Sequence, residues 1–375
     1  MKDNRNILLI LLILSFLLSI LTIFVVAEGG VPTVSARTAA VFEPQTGTFV
    51  YEKDSNKRLP MASTTKIMTA LLAIELLDLD QSVVIPAEAT GIEGSSIYLK
   101  VGDEITVRDL VYSVLLQSAN DASTALAILI SGDVATFASL MNEKARQIGL
   151  TDTNYENPHG LDSGEHYTTA HDLALLASVA LKNEAFEKIT STYKHTFAIS
   201  ETLRTVVNHN KLLKRYKGCI GVKTGYTDKS GRCLVSAAER DGVQLIAVTM
   251  NASDDWNDHT KMLDYGFSLF EAVPLYTVSE CNFSVSVIDG EKERVSASVK
   301  KDAELLVHLK SSAPLRATQN IVQNVEAPVS TGDIIGSITV YQGDKAIYTF
   351  PITADEDVNK KKKTTNFFDI LEELF

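Results

Sequence analysis

The chain has 375 residues, of which 45% are hydrophobic and 22% charged, values typical of a globular protein large enough for two domains. Its formal net charge of −12 argues against nucleic-acid binding, because the sequence has no basic stripe to contact phosphates. Three cysteines, with no Cys/His ligand spacing, predict neither a disulfide framework nor a metal site, and no cofactor is expected. We expect Cys219 and Cys233 to be buried thiols rather than a pair across a hairpin.

The first 27 residues predict export. Lys2 and Arg5 precede an apolar run from Ile7 to Val26, and Ala27 offers a small residue for cleavage before Glu28. The run is also long enough for a spanning helix, so a cleaved signal peptide and an N-terminal anchor both remain open. In either case the positive-inside rule places the rest of the chain outside the cytoplasm.

Residues 28–275 show an uneven alternation of short strands and helices. A hairpin (39–42 with 47–51) is followed by a helix from Pro60 to Leu77, and Thr106 with Asp109 resembles a capping box. Further helices are predicted over 134–147, from Thr169 capped with Asp172, and over 254–272, and strands over 220–223, 233–238 and 244–250. This pattern predicts an α+β fold, with helices flanking a mainly antiparallel sheet and an inserted helical lobe.

Residues 276–357 show a different pattern of apolar residues. Apolar residues alternate or cluster at strand period, as in Phe283–Ile288 and Val295–Val299, and turn signals such as Asp289-Gly and Gln342-Gly-Asp separate the runs. We expect a small, all-β C-terminal domain.

Residues 358–375 predict a Lys-rich linker and an amphipathic helix. Four lysines (360–363) precede a segment whose Phe367, Phe368, Leu371, Leu374 and Phe375 share one helical face. Such a helix can lie in the interface of the outer face of the cytoplasmic membrane while the lysines meet anionic headgroups. A frayed tail, or a helix that packs on its own protein, is the alternative.

The first chemical motif is Ser63-Thr-Thr-Lys66 at a predicted helix start. Residues three apart share a helix face, so the hydroxyl and the amine can approach, while free N–H groups at the helix start can bind an oxyanion. A lysine serves as a base only where burial or another cation lowers its pKa. Ser298-Val-Lys-Lys301 has the same spacing but lies in a predicted strand, where side chains three apart point to opposite faces.

Two more motifs follow. Ser118-Ala-Asn120 lies at a predicted break between helices, where it could pass a proton and bind a substrate amide; alternatively it is an ordinary N-cap. Lys223-Thr-Gly225 ends an apolar run, and there Lys223 and Thr224 could bind a carboxylate while Gly225 lets the substrate backbone lie close. Lys223 would also lower the pKa of Lys66. The alternative is a solvated strand end.

Together, the order Ser-x-x-Lys, Ser-x-Asn, Lys-Thr-Gly resembles the penicillin-binding and β-lactamase family. Within it the chain is most similar to the D-alanyl-D-alanine carboxypeptidases of the low-molecular-mass penicillin-binding proteins. The segments that carry this likeness are 60–69, Asn157-Pro-His-Gly-Leu-Asp162, 166–172 and 221–228. The resemblance implies a β-lactamase/DD-peptidase-like fold over 28–275, followed by the β-rich domain.

The resemblance also implies roles. Ser63 would be acylated by a peptidoglycan stem peptide ending in D-Ala-D-Ala, Lys66 would be the general base, Ser118 would relay a proton, and Asn120 would hold the substrate amide. β-Lactam antibiotics would acylate the same serine.

The third motif completes the site that the resemblance implies. Lys223 and Thr224 would bind the terminal carboxylate beside Gly225, and the N–H groups of Ser63 and Tyr226 would form the oxyanion hole. Some relatives place an Arg ahead of Asn-x-Leu-Leu to support the carboxylate. Here His209 stands at that place, as a weak substitute. The other histidines, including His159 and His166, are expected to be structural.

Two alternatives remain. A secreted β-lactamase of class A carries a Glu-x-x-Leu-Asn loop, which is absent between Ser118 and Lys223. A non-catalytic, penicillin-binding wall protein would keep the fold without the reaction, but every residue of the three motifs is present. No residue is assigned to activating the deacylating water.

Overall fold

A computed structural model describes residues 30–274, 282–299, 305–311 and 313–362. Its first part is built on a five-stranded sheet with the order β2 (Thr48–Lys53), β1 (Thr38–Glu43), β9 (Val243–Ala252), β8 (Gly231–Arg240) and β7 (Cys219–Thr227), in which every neighbouring pair is antiparallel. In chain order, the strands of residues 30–274 are β1 Thr38–Glu43, β2 Thr48–Lys53, β3 Ser82–Val84, β4 Glu104–Thr106, β5 Lys194–Ile199, β6 Thr202–Val207, β7 Cys219–Thr227, β8 Gly231–Arg240, β9 Val243–Ala252 and β10 Phe270–Pro274. Strands β3–β4 and β5–β6 form two separate ladders.

The helices are α1 Lys66–Leu76, α2 Val107–Tyr112, α3 Asn120–Ser131, α4 Val134–Gln147, α5 Ala170–Leu181, α6 Glu184–Ser191, α7 Leu212–Arg215 and α8 Asp255–Leu269. A short 3₁₀ turn, Ala62–Thr65, leads directly into α1, and a π-helical turn, Ser113–Gln117, continues α2. The predicted caps are confirmed: the Thr106 hydroxyl accepts from the N–H of Asp109 at 3.1 Å, and Thr169 accepts from that of Asp172 at 3.0 Å.

The central sheet is buried on both faces. Along β9, Ile246 and Val248 pack in the core with α1–α5, whereas Leu245 and Ala247 pack in a second cluster with Met262 of α8. This separation follows from the period-two alternation of side chains on a strand. The five-stranded sheet therefore lies between α8 and the helices of the other face, with β7 at one edge.

The C-terminal part is all β. Its strands are β11 Phe283–Ile288, β12 Arg294–Val299, β13 Leu305–Leu309, β14 Leu315–Ile321, β15 Asn324–Glu326, β16 Ile334–Gln342 and β17 Lys345–Ala354. Six of them form a sheet in the order β14-β16-β17-β12-β11-β15 around their own apolar cluster, which includes Val295, Ile338 and Ile352. The predicted fold class, an antiparallel sheet with helices followed by an all-β domain, is confirmed.

Two details differ from the sequence prediction or refine it. The helix expected to run to Ala272 ends at Leu269, because residues 270–274 instead pair with β13 as strand β10. Cys219 and Cys233 are both free thiols, as expected, and they lie opposite Ala238 and Gly225 rather than each other. Cys233 is buried and Cys219 is half-buried.

Both terminal predictions concern residues largely outside the described ranges. The export segment 1–27 and the amphipathic helix after Lys362 fall there. Within the described ranges, no single helix is long and apolar enough to cross a membrane. Only α3 and α4 taken together have the length and apolar composition of a membrane span, and an 83° bend separates them.

Candidate active site

Ser63 and Lys66 are brought together by the turn that leads into α1. Ser63 lies on the 3₁₀ turn and Lys66 is the first residue of the helix, so the Lys66 amine lies 3.0 Å from the Ser63 hydroxyl oxygen. Lys66 is fully buried. The sequence prediction that these two side chains share a face therefore holds.

The remaining contacts of Lys66 indicate the direction of the Ser63 hydrogen bond. Its Nζ lies 2.7 Å from Asn120 Oδ1 and 2.5 Å from the His159 carbonyl oxygen, and both of these oxygens can only accept. A neutral amine has two hydrogens and one lone pair. With its two hydrogens donated to Asn120 and His159, the lone pair faces Ser63, which is the arrangement a proton acceptor requires.

Electrostatics favour the neutral amine. Burial, and then the nearby charge of Lys223, hold the pKa of Lys66 well below its usual value, against an opposing effect of Asp121. A buried ammonium loses its hydration, and a second cation adds repulsion. The predicted influence of Lys223 on Lys66 has this physical origin.

Ser118 and Asn120 enter the site from a helix break. Ser118 has φ of +63° at the end of the π-helical turn, and Asn120 is the first residue of α3. Asn120 is not an N-cap: Ala119 occupies that position, and the Asn120 side chain instead bridges Lys66 and the Glu93 carbonyl, to which its amide donates at 2.5 Å. The N-cap interpretation of this motif is thus wrong.

Strand β7 supplies the opposite wall. Lys223 is 1% exposed and donates to the Thr224 carbonyl at 2.9 Å, so it is not a solvated strand end. Burial lowers the pKa of Lys223 to about 7. A Cβ on Gly225 would lie 3.0 Å from the Ser63 nitrogen, so the glycine allows the strand to pass close to the nucleophile turn.

A cavity of about 330 Å³ joins these elements. Its lining includes the predicted residues Ser63, Ser118, His209, Thr224, Gly225 and Tyr226. Lys66 and Asn120 adjoin it through the hydrogen bonds to Ser63 and to each other. The three motifs, which are far apart in the sequence, therefore converge on one cavity.

Five further lining residues were not predicted from the sequence: Ser95, Arg232, Cys233, Asp255 and Trp256. Arg232 lies opposite Tyr226 in the β7–β8 hairpin and forms an ion pair with buried Asp255 at 2.6 Å. The sequence signal that could have identified Arg232 is the tight turn after Lys-Thr-Gly, because such a turn places the next strand beside the motif. Burial and Lys223 lower the pKa of His209, which makes His209 a weak partner for a carboxylate.

The described residues contain no cluster of three or more His, Cys, Asp or Glu side chains that could hold a metal ion. The groups that line or adjoin the cavity include the hydroxyls of Ser63 and Ser118, the Lys66 amine, the Asn120 amide and the Arg232–Asp255 ion pair.

Comparison with known proteins places this site in a family. The family model described as D-alanyl-D-alanine carboxypeptidase matches residues 26–254, and the model of the C-terminal domain of penicillin-binding protein 5 matches residues 270–360.

Individual relatives agree with these matches. The chain is 34% identical to the D-alanyl-D-alanine carboxypeptidase DacF of Bacillus subtilis, covering 87% of this chain and 86% of that protein. It is 31% identical to DacC of Escherichia coli, covering 88% and 86%. Crystal structures of penicillin-binding protein 5 from Haemophilus influenzae superpose with a TM-score of 0.69 at 28% identity, covering 88% of this chain and 99% of that one. The chain belongs to the D-alanyl-D-alanine carboxypeptidase family.

Proposed function

We propose that this protein is a serine-type D-Ala-D-Ala carboxypeptidase that removes the terminal D-alanine from peptidoglycan stem peptides and is acylated by β-lactams. The observation that carries this proposal is the buried Lys66 amine 3.0 Å from the Ser63 hydroxyl, with its two other contacts both to acceptors. This arrangement suits nucleophilic catalysis by an adjacent base.

In the first half of the reaction, Ser63 Oγ attacks the carbonyl of the penultimate D-Ala while its proton moves to Lys66. The negative charge that develops on the carbonyl oxygen is stabilised by the N–H groups of Ser63 and Tyr226. When the tetrahedral intermediate collapses, the peptide C–N bond breaks, and Ser118 helps to pass the proton from Lys66 to the departing amine of D-Ala. Water then hydrolyses the ester and restores Ser63.

Substrate binding uses the edge strand and its neighbour. Asn120 holds the substrate amide, and Lys223 and Thr224 bind the terminal carboxylate beside Gly225. Arg232 lines the same cavity and forms an ion pair with Asp255. It supplies the positive charge near the carboxylate that an Arg provides in some relatives at the position of His209.

The domain boundaries proposed from the sequence are 28–275 for the catalytic domain and 276–357 for the β-rich domain. The separate apolar cluster of the C-terminal strands and the spans of the two family models support two domains, which are joined where strand β10 pairs with β13. The protein acts on the outer side of the membrane, exported by residues 1–27 and attached through residues 358–375. Loss of binding to vesicles of anionic lipid on truncation after Asn359 would test the attachment, and unchanged binding would contradict it.

D-Ala release from diacetyl-Lys-D-Ala-D-Ala tests the activity. We expect release by the wild type, none by Ser63→Ala, and wild-type release by Ser298→Ala. Ser298 is a matched control because it has the same Ser-x-x-Lys spacing but lies half-buried on β12, bonded to Asp355. A wild type that binds penicillin without releasing D-Ala would refute the enzymatic function, and rapid turnover of penicillin would indicate a β-lactamase instead.

A further inference from the structure

His166 is a buried histidine that the proposed reaction does not use. It lies in the segment before α5, is 4% exposed, and bonds to Glu156, ten positions earlier, and to Thr65, 101 positions earlier. Its ring contacts the backbone of Glu156 on one side and the hydroxyl of Thr65 on the other. Thr65 lies on the 3₁₀ turn that carries Ser63.

The hydrogen bonds of this group have a single consistent direction. The N–H of Glu156 donates to His166 Nδ1 at 2.9 Å, so the ring hydrogen is on Nε2. Nε2 lies 2.8 Å from Thr65 Oγ1 and donates to it, and the Thr65 hydroxyl in turn donates to the Ala62 carbonyl oxygen at 2.7 Å. The chain therefore runs from Glu156 through His166 and Thr65 to Ala62.

The Ala62 carbonyl belongs to the same peptide group as the N–H of Ser63. A trans peptide is planar, and its C=O and N–H point in opposite directions, so fixing the oxygen also fixes the direction of the N–H. That N–H is one of the two proposed oxyanion donors. A hydrogen bond to Ala62 consequently acts on the oxyanion hole without touching the substrate.

Two observations show that this peptide group is held in place by its surroundings. Ala62 has φ of +47°, a conformation that residues other than glycine rarely adopt and that persists where neighbouring structure imposes it. Gly160 packs directly on the Ala62 carbonyl, since a Cβ at Gly160 would lie 1.8 Å from the oxygen. Gly160 limits movement of the carbonyl on one side, and the Thr65 hydroxyl binds it.

We propose that His166 is a positioning residue, which acts through Thr65 to hold the Ala62 carbonyl and so aims the Ser63 N–H at the oxyanion. This role rests on the proposed function, since it concerns the oxyanion hole of that reaction. Its consequence is specific: His166 affects the transition state, in which the oxyanion forms, more than it affects substrate binding.

The surroundings of His166 keep the ring neutral. Burial, together with the charge of Lys66, lowers the pKa of His166 to about 4, with Glu156 opposing. His159 interacts with it electrostatically, and the ring of Tyr155 lies edge-on with its centroid 5.9 Å away. At neutral pH, Nδ1 can therefore accept the hydrogen bond from Glu156 as the proposal requires.

Four variants test the chain of hydrogen bonds. His166→Leu removes both bonds of the ring, and Thr65→Val removes the hydroxyl at nearly constant shape. His166→Gln keeps one acceptor and one donor, and Thr65→Ser keeps the hydroxyl. We would measure kcat and KM for diacetyl-Lys-D-Ala-D-Ala, the acylation rate with a fluorescent penicillin, and the Tm of each variant.

Loss of an oxyanion donor lowers kcat about 100- to 1,000-fold, and a misdirected donor should cost less. We expect His166→Leu and Thr65→Val each to lower kcat and the acylation rate about 10- to 100-fold, with KM changed less than about 3-fold. The double variant should lose no more than either single one, because both break one chain. His166→Gln and Thr65→Ser should stay within a few-fold of the wild type.

His259 provides a control for stability. It is also fully buried, between the hydroxyls of Ser236 at 2.5 Å and Thr249 at 2.9 Å, but it lies on α8 against the other face of the sheet. His259→Leu should lower Tm and leave the acylation rate unchanged. If it slows acylation as much as His166→Leu does, the loss reflects stability and the proposal is overturned.

Other results also overturn the proposal. An acylation rate in Thr65→Val equal to that of the wild type would overturn it even if His166→Leu fails to fold. A double variant whose loss in acylation rate equals the product of the two single losses would also overturn it. The proposed function fails separately, if the wild type releases no D-Ala while penicillin still acylates it at a rate that His166→Leu lowers. A wild type that neither releases D-Ala nor takes up penicillin would overturn both.

Discussion

Asn120→Asp should disable Lys66 by changing one atom. The variant places a carboxylate where the neutral amide oxygen now lies, 2.7 Å from Lys66 Nζ. At an effective dielectric constant of about 20, two unit charges at that distance attract by about 6 kcal/mol. If relaxation leaves only a third of this, about 2 kcal/mol, the ratio of neutral to protonated Lys66 at a given pH falls about 30-fold. We therefore expect the acylation profile of Ser63 to shift to higher pH, with a rate up to about 30-fold slower wherever Lys66 of the variant is largely protonated.

The pH dependence separates this effect from simple loss of the amide. Acylation by a fluorescent penicillin would be followed by stopped flow over a range of pH in Asn120→Asp, Asn120→Ala and wild type. The Asp variant should recover as the pH rises, because Lys66 is then deprotonated, while the Ala variant should be slow with the wild-type pH profile. A folded Asp variant that acylates at the wild-type rate at every pH, or one whose slow rate does not recover at alkaline pH, would refute the assignment of Lys66 as base.

Three more outcomes are expected. The pKa of Lys223 is about 7, so Lys223 loses its positive charge above that pH. The KM for a peptide with a free terminal carboxylate should therefore rise above pH 7. Inhibition by the same peptide with an amidated C-terminus should not change with pH in this range. Arg232→Gln should raise KM for the free acid by about 10-fold or more, since it removes a charge-assisted contact, and an unchanged KM would exclude Arg232 from carboxylate binding. Burial lowers the pKa of His259 to about 3, so the unfolded state binds more protons than the folded state between pH 6.5 and 3. The free energy of unfolding should therefore fall by up to about 5 kcal/mol as the pH falls through that window. The fall should be smaller in His259→Gln.

Local sequence patterns determined much of the fold. The period-two alternation of β9 and the caps at Thr106 and Thr169 depend on neighbours within a few residues, so they could be predicted directly. The order of the three motifs likewise indicated the site, and the turn before α1 places Ser63 and Lys66 together as their spacing suggests. The end of the α8 helix could not be predicted, because residues 270–274 become a strand only through pairing with β13, more than thirty positions later in the chain.

What the tertiary structure decided is the chemical state of the site. Lys66 bonds to residues 54 and 93 positions away, and those contacts remove it from water and leave its lone pair toward Ser63. The burial of Lys223, the Arg232–Asp255 pair and the link from His166 to Ala62 arise in the same way. A pKa or the direction of a peptide group depends on the atoms packed around it, and those atoms come from distant segments of the chain. The sequence by itself therefore indicated the residues that we propose to react, and folding determined the burial and hydrogen bonds that let Lys66 serve as the proposed base.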